Sequence, residues 1–240
     1  MNDNCAMIPV QKAVSSSVGK KLVMALSGLA LVGFLVEHLL GNLLLYKSEG
    51  TEFNLYANYL ESFGPLLTVA EVGLAAVFIL HIFLAFSVKS SHLSARPTGY
   101  RVTRSKGGKS LSNLSSRNMI ITGLVILGFL VLHIWQFRLG PKIAAGYVTD
   151  LKGEQVWDIF RLVHETFASP VNVGIYVATM LFLGFHLRHG FWSAFQSLGA
   201  MNERMTKPVY ALGIVIAIAM AAGFLFIPLW VYFDIPGALK

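Results

Sequence analysis

The sequence predicts an all-α integral membrane protein, a single domain built as a five-helix bundle. Only 13% of its 240 residues are charged and 55% are apolar, whereas about 25% of the residues of a soluble domain are charged. A membrane-spanning helix needs about 20 mostly apolar residues. Five stretches meet that requirement, at approximately 21–46, 66–88, 118–138, 169–192 and 208–233.

The distribution of basic residues predicts the orientation of these spans in the bilayer. The loop 89–117 contains seven Lys or Arg residues and no acid, whereas 47–65 and 139–168 carry most of the acids. Positive loops stay in the cytoplasm, so we expect a cytoplasmic N-terminus and an external C-terminus. This topology accounts for the net charge of +7 without a nucleic-acid partner. The segment 151–168 is predicted to form a short amphipathic helix on the outer surface.

Four of the apolar spans each contain a candidate histidine: His38, His81, His133 and His186. A polar, ionisable side chain within a membrane is unfavourable and indicates a functional site by default. At the helical rise, His38 and His133 lie about 25 Å from the cytoplasmic ends of their helices, and His81 and His186 about 12 to 16 Å. The histidines therefore form an outer pair, His38 with His133, and an inner pair, His81 with His186.

The first and third spans share a pattern that places two hydroxyl groups near the inner pair. Ser27-Gly precedes His38, and Thr122-Gly precedes His133, each by 11 residues, with a second Gly and Phe-Leu-Val between them. Eleven residues turn a helix to within about 20° of the same face and rise about 16 Å. Ser27 and Thr122 are therefore expected at the depth of the inner site and are candidates to contact a cofactor there.

Two histidine pairs indicate two metal centres with two imidazole ligands each. The chain has one cysteine, Cys5, which excludes a disulfide framework, a Cys-x-x-Cys-His haem attachment and the thiolates of an iron–sulfur cluster. A non-covalent haem iron with two axial imidazole ligands transfers electrons and has no free position for oxygen. We therefore predict two haems b bound between the helices.

The alternative is a purely structural role, in which each histidine only forms a hydrogen bond to a neighbouring helix. Four histidines paired by depth and by local pattern argue against it. His189 competes with His186 as the fourth ligand, but His186 shares with His81 a small residue at +4 and Phe at +5. His92 and His164 are expected in loops as surface groups.

Charged residues near the two sites supply further candidates. At the inner surface, haem propionates could pair with Lys20, Lys21, Arg117 or Arg188. In the outer half, the intramembrane acids Glu37 and Glu71 and the adjacent Glu61 are candidates to pass protons to a bound quinone. The alternatives are that Glu61 is a solvated loop residue and that Glu71 reaches the outer interface.

Several motifs together resemble a known family. They are Glu-His38-Leu-Leu-Gly-Asn, the segment 54–64 (NLYANYLESFG), His81, His133-Ile-Trp and the segment 185–193 (FHLRHGFWS). Over about residues 20–235, the chain resembles the dihaem cytochrome b membrane anchors of succinate:quinone oxidoreductases and quinol:fumarate reductases, of the type with one large five-span anchor.

The resemblance implies a role as the non-flavin subunit of a respiratory complex in a prokaryotic inner membrane. The axial ligands fall on His38 and His133 for the distal haem and on His81 and His186 for the proximal haem. A flavoprotein and an iron–sulfur subunit bind the cytoplasmic face, and electrons pass between succinate or fumarate and a quinone, often menaquinone. Some members carry an acid two residues before the fourth ligand, where this chain has Gly184, so a proton path of that design is doubtful.

Two other classes of protein stay open at this point. One is the haem-b subunit of a hydrogenase or formate dehydrogenase, in which two ligands often share one helix, as His186 and His189 could. The other is a haem-free transporter with a histidine proton relay. The direction of the reaction and a possible dimer of the whole complex are not determined by the sequence.

Overall fold

The computed structural model describes residues 15–47, 50–94, 118–151 and 153–238. Its principal elements, in chain order, are α1 Ser17–Asn42, α2 Thr51–Glu61, α3 Pro65–Ser94, α4 Met119–His133, β1 Val148–Leu151, β2 Glu154–Trp157, α5 Ile159–Phe167, α6 Pro170–Ser197 and α7 Glu203–Ala238. A 3-10 turn, Leu43–Tyr46, continues α1, and a π turn, Ile134–Arg138, continues α4.

Five helices in these ranges are long and apolar enough to cross a membrane. They are Ser17–Tyr46, Pro65–Ser91, Met119–Arg138, Pro170–Ser197 and Glu203–Phe233. The predicted all-α bundle with five spans is therefore confirmed, and the protein is a multi-pass membrane protein. The helices extend up to six residues beyond the predicted spans, because polar residues at their ends continue the backbone hydrogen bonding.

Local chemistry fixes where several of these helices begin. The Ser16 hydroxyl accepts a hydrogen bond from the Gly19 amide at 3.0 Å, which caps α1. Pro170 opens α6, where its missing N–H leaves no donor unsatisfied. Asp158 caps α5 by accepting from the Arg161 amide at 3.1 Å.

Helices α1 and α6 are at the centre of the packing. Helix α1 lies against α3, α6 and α7, and α6 also lies against α4 and α7. Helices α6 and α7 lie close together at Gly184, where an added Cβ would lie 3.0 Å from the Cβ of Ala221. A larger side chain at Gly184 would therefore require α6 and α7 to shift.

Short elements collect at one end of the bundle. We call it the Glu61 end, because α2 ends there, and we call the opposite end the Ser17 end. Asn54 pins α2 to α5: its amide nitrogen donates to Asp158 at 2.9 Å, and its oxygen accepts from the Phe160 amide at 2.9 Å. Asn54 is 3% exposed, so these two bonds satisfy a buried amide.

The prediction of one amphipathic helix over 151–168 is wrong. The strands Val148–Leu151 and Glu154–Trp157 pair as an antiparallel hairpin, and only Ile159–Phe167 is helical. The turn uses Gly153 at φ +85°, a left-handed conformation that favours glycine. The loop positions predicted for His92 and His164 are also wrong, because the backbone is helical at both.

Candidate functional site

Each of the four intramembrane histidines lies on a different helix. His38 on α1 and His133 on α4 meet with their ring centroids 5.7 Å apart and their planes at 85°. With metal–imidazole bonds of about 2 Å, two imidazoles on opposite sides of one metal ion have centroids about 6 Å apart. The rings of His38 and His133 are therefore separated by nearly the distance that a shared metal ion requires.

The other two histidines are each held by a hydroxyl group from a neighbouring helix. Ser27 Oγ lies 3.1 Å from Nδ1 of His81, and Thr122 Oγ1 lies 3.1 Å from Nδ1 of His186. Each hydroxyl also lies 3.0 Å from a backbone carbonyl one turn earlier in its own helix. A carbonyl oxygen only accepts, so the hydroxyl proton goes to it and the hydroxyl oxygen accepts from the Nδ1–H.

This hydrogen-bond direction prepares both imidazoles as metal ligands. When Nδ1 carries the proton of a neutral imidazole, Nε2 keeps its lone pair. Metal-bound histidines usually have such a partner on the second nitrogen, which fixes the tautomer and the ring orientation. His81 and His186 thus have matching hydroxyl supports, from α1 and α4 respectively, toward the Ser17 end. That they form a second pair stays a prediction.

Glycines bring the backbone close to this second pair. A Cβ added at Gly28 would lie 3.2 Å from Cε1 of His81, and one at Gly123 would lie 3.6 Å from Cε1 of His186. Each glycine directly follows the hydroxyl residue that holds the same histidine. The pairs α1–α3 and α4–α6 thus repeat one local arrangement, as the shared sequence pattern of the first and third spans predicts.

A phenylalanine one turn earlier stacks on each histidine of the first pair. Phe34 lies 5.4 Å from His38 with an interplanar angle of 14°, and Phe129 lies 5.6 Å from His133 at 26°. These rings restrict the rotation of the two imidazoles.

The second ring nitrogens of this pair have partners that the sequence did not reveal. Nδ1 of His133 lies 3.3 Å from the Tyr176 hydroxyl, which donates to Gln136 Oε1 at 2.6 Å. Nδ1 of His38 lies 3.5 Å from Asn42 Nδ2, which is long for a hydrogen bond. Asn42 Nδ2 donates instead to the His38 carbonyl at 2.7 Å. Tyr176 is 43 residues from His133, so no local pattern predicts their contact.

The basic residues predicted to pair with propionates are placed differently from one another. Arg188 lies 3.3 Å from the hydroxyl of Tyr210 on α7, on the side of α6 away from His186. Lys20 donates to Ser87 at 2.9 Å and so joins α1 to α3. Lys21 is exposed, and Arg117 lies outside the described residues. Whether any of them contacts a cofactor stays a prediction.

His189 differs from His186 in how its ring is supported. Among the described residues, Nδ1 of His189 and Nε1 of Trp192 are buried without a hydrogen-bond partner. The two rings meet edge to face at 5.5 Å. His186 has a hydroxyl partner that fixes its tautomer and His189 has none, which favours His186 as the ligand on α6.

Two of the three predicted acids share one cation at the Glu61 end. Arg138 lies 2.8 Å from Glu71 and 3.4 Å from Glu61, and Lys142 lies 3.4 Å from Glu61. These side chains are all about 40% exposed, so each ion pair alone stabilises the fold little. Together they keep two carboxylates close to the membrane edge.

The third acid, Glu37, has a separate partner. Tyr56 on α2 donates a hydrogen bond to Glu37 Oε1 at 2.7 Å. Burial first, and then the hydrogen bond and the charge of Glu37, raise the pKa of Tyr56 to about 12. Tyr56 therefore stays protonated and holds Glu37 beside His38.

The donor set fits haem iron. Within the ranges that the structure describes, no group of three or more His, Cys, Asp or Glu side chains is placed to hold a metal ion. A structural zinc site needs four protein ligands and a catalytic one needs three, whereas haem iron needs at most two axial ligands from the protein. Histidine pairs on facing helices meet that requirement.

Comparison with known proteins gives one relevant match. The chain is 25% identical over 175 residues to the succinate dehydrogenase cytochrome b558 subunit of Bacillus subtilis (strain 168), which covers 70% of this chain and 74% of that protein. No family model matches the chain, and no solved structure matches it. The resemblance predicted from the motifs is confirmed: this five-span chain is similar to the cytochrome b subunit of a succinate dehydrogenase.

Proposed function

We propose that this chain is the membrane-anchoring cytochrome b subunit of a succinate dehydrogenase or fumarate reductase complex. In this role it links an iron–sulfur partner subunit to a membrane quinone through two haems b. The dicarboxylate chemistry belongs to a flavoprotein subunit and not to this chain. The proposal is supported by the 5.7 Å approach of His38 and His133, by the matching hydroxyl supports of His81 and His186, and by the similarity to a succinate dehydrogenase cytochrome b.

The protein residues have defined tasks in this proposal. His38 and His133 hold one haem, and His81 and His186 hold the other. Haem held by these residues would supply reversible one-electron chemistry. Ser27 and Thr122 keep Nδ1 of their partner imidazoles protonated, so that Nε2 faces the metal.

The Ser17 end is the cytoplasmic end in this proposal. The basic loop 89–117 joins α3 to α4 at that end, and positive loops stay in the cytoplasm. The flavoprotein and iron–sulfur subunits therefore dock there, which places the His81–His186 pair nearer to them. The host membrane is the inner membrane of a prokaryote.

The quinone, which we take to be menaquinone, binds near the Glu61 end. Quinone reduction takes up protons, and quinol oxidation releases them, so carboxylates at this end have a task. Arg138 offsets the charges of Glu61 and Glu71, and Tyr56 holds the Glu37 carboxylate next to His38. These acids accept protons from the outer aqueous phase and pass them to the quinone, or carry them the opposite way.

Haem content and quinone activity of the whole complex test the proposal. The complex, purified in detergent with its partner subunits, should show a reduced cytochrome b spectrum and two haems b for each copy of this chain. It should also reduce a menaquinone analogue with succinate, or oxidise the quinol with fumarate. A complex without the α-band of reduced cytochrome b would exclude the haem-based function.

The variants His186→Ala and His189→Ala separate this proposal from the hydrogenase or formate dehydrogenase type. We expect His186→Ala to lose one haem and His189→Ala to keep both. If His189→Ala loses a haem and His186→Ala keeps both, the ligand on α6 is misassigned. If both variants lose a haem, α6 carries two ligands and the second type of complex is supported.

A further inference from the structure

We propose that Tyr176 is a positioning residue for the His38–His133 pair, and that Gln136 and Asn172 fix the direction of its hydroxyl group. The inference rests on the proposed function, since it concerns how one ligand of that pair is held. None of these three residues is predicted by the sequence motifs.

The ring of Tyr176 is held firmly by its surroundings. It is 5% exposed. Phe129, Phe137 and Phe167 meet it nearly edge to face, with centroid distances of 4.7, 6.4 and 4.9 Å. Such contacts restrict where the ring and its hydroxyl lie. A buried phenol also needs a hydrogen-bond partner, and Tyr176 has one on each side.

The backbone carbonyl of Thr166, at the end of this series of hydrogen-bonded side chains, sets the direction of every hydrogen bond in it. The Thr166 carbonyl only accepts, so Asn172 Nδ2 donates to it, at 2.8 Å. Asn172 Oδ1 then accepts from Gln136 Nε2 at 3.2 Å, which turns Gln136 Oε1 toward the Tyr176 hydroxyl at 2.6 Å. The phenolic proton goes to Gln136, so its oxygen accepts from Nδ1–H of His133 at 3.3 Å.

This direction has two chemical consequences for His133. Its Nδ1 is the protonated nitrogen, so Nε2 keeps the lone pair that a metal needs. Donation from Nδ1–H also makes the imidazole more basic, which stabilises the more positive, oxidised state of a bound iron. This hydrogen-bonded series of side chains includes two amides, Gln136 and Asn172, which neither take up nor release protons near neutral pH. The series therefore orients the ligand and does not conduct protons.

The local backbone explains why these residues meet. Gln136 lies in the π turn Ile134–Arg138, directly after His133, and π turns are frequent at functional sites. Asn172 lies in the first turn of α6, and Thr166 lies in the last turn of α5, where helix carbonyls lack partners within the helix. The chain therefore ties His133 to the junction of α5 and α6.

The variant Tyr176→Phe tests the proposal, since it keeps the ring and removes the hydroxyl. The haem to be followed is the one that His133→Ala abolishes. In Tyr176→Phe we expect both haems to be retained, the reduction potential of that haem to rise and its low-spin EPR signal to shift. The potential of the other haem should not change. Thr179→Val is the matched control, because it removes a buried hydroxyl of α6 that donates to a backbone carbonyl at 2.8 Å.

A second variant, Gln136→Leu, tests the direction of the chain and leaves the Tyr176 ring in place. It should shift the same potential upward by a smaller amount, and it decides the test if Tyr176→Phe does not assemble. The proposal is overturned if the potential and the EPR signal of that haem match those of Thr179→Val. The proposed function fails separately, if the unmodified complex lacks haem or if His133→Ala keeps both haems.

Discussion

The two histidine pairs have the same donor atoms but different supports. At the Ser17 end, a single hydroxyl holds each ring, 3.1 Å from Nδ1 of His81 or His186. At the Glu61 end, His133 depends on a chain of three side chains from α4 and α6, and His38 has only a contact at the 3.5 Å limit. The support at the Ser17 end is one hydroxyl group for each ring, whereas the support of His133 is a series of hydrogen bonds that ends at Thr166 in α5.

This difference indicates a division of tasks along the bundle. At the Ser17 end, each supporting hydroxyl donates its proton to a backbone carbonyl of its own helix. Few other elements can therefore disturb these supports. The Glu61 end combines a more extended support with Glu37, Glu61, Glu71 and Arg138. Ligand geometry there is linked to the surface elements α2 and α5, at the end of the bundle where we place quinone and proton chemistry.

The largest predicted effect is the loss of one haem when one member of a pair is removed. His81→Ala should lose the haem of the Ser17 end and keep the other, and His38→Ala should do the reverse, because each metal then has one axial ligand. Haem content and redox titration of the purified complexes measure this. His164→Ala is the control, since that ring packs against Phe160 within α5, with centroids 4.1 Å apart and planes at 41°. Full pigment in either variant would disprove the pairing.

The next effect concerns the acids that distinguish the Glu61 end. Glu61→Gln keeps the shape of the side chain and removes its proton affinity. We expect quinone turnover to fall by about 10²-fold, the lower range for loss of a proton-transfer group, with both haems retained. Steady-state kinetics with a quinone analogue measures the change.

The control for that experiment is Glu165→Gln, which also breaks a surface ion pair, with Arg161 at 2.7 Å. Glu165 lies on the exposed face of α5. If both variants lose turnover equally, the loss comes from a disturbed surface rather than from a proton site.

A smaller effect is expected where the hydroxyl support of the Ser17 end is removed. Thr122→Val should weaken haem binding at that end by about 10- to 100-fold, as for other residues that orient metal ligands. The haem at the Glu61 end should stay. Competition for haem by an apo-haemoprotein in detergent measures the affinity. Thr179→Val is the matched control, and identical haem loss in the two variants would contradict the role of Thr122.

The sequence predicts the positions of the two hydroxyl groups at the Ser17 end, because each position follows from the geometry of a single helix. Ser27 precedes His38 by 11 residues, and the helical repeat alone places it about 16 Å along the same face. In the structure its hydroxyl lies beside His81. Depth, face and pairing follow from helical geometry because each span is a regular helix whose ends are marked by charge.

The contacts at the Glu61 end could not be predicted in the same way. The contact of Tyr176 with His133 depends on how α4 and α6 are rotated against each other. Arg138 forms ion pairs with Glu61 at the end of α2 and with Glu71 in α3. Its position depends on the π turn after His133. The sequence does not predict the hairpin before α5, because the apolar residues over 151–168 also fit a helix.

The smallest predicted effect is a shift in the titration of Tyr56, which tests its bond to Glu37. The pKa of Tyr56 is about 12, raised above the usual 10.0 by burial first and then by Glu37. We expect Glu37→Gln to lower this pKa but to leave it above 10, because burial remains. Absorbance of tyrosinate near 295 nm measures the pKa as the difference from a Tyr56→Phe complex.

The sign of this shift also defines the pH range in which the bond stabilises the fold. The folded state holds the phenolic proton more tightly than the unfolded state. The stabilisation is therefore complete below pH 10 and is lost as the pH rises through about 12. The stability difference between the unmodified complex and Tyr56→Phe should accordingly be constant from pH 7 to 9. A pKa of Tyr56 that does not change in Glu37→Gln would separate Glu37 from this bond, and the case for Glu37 as a held carboxylate beside His38 would fail.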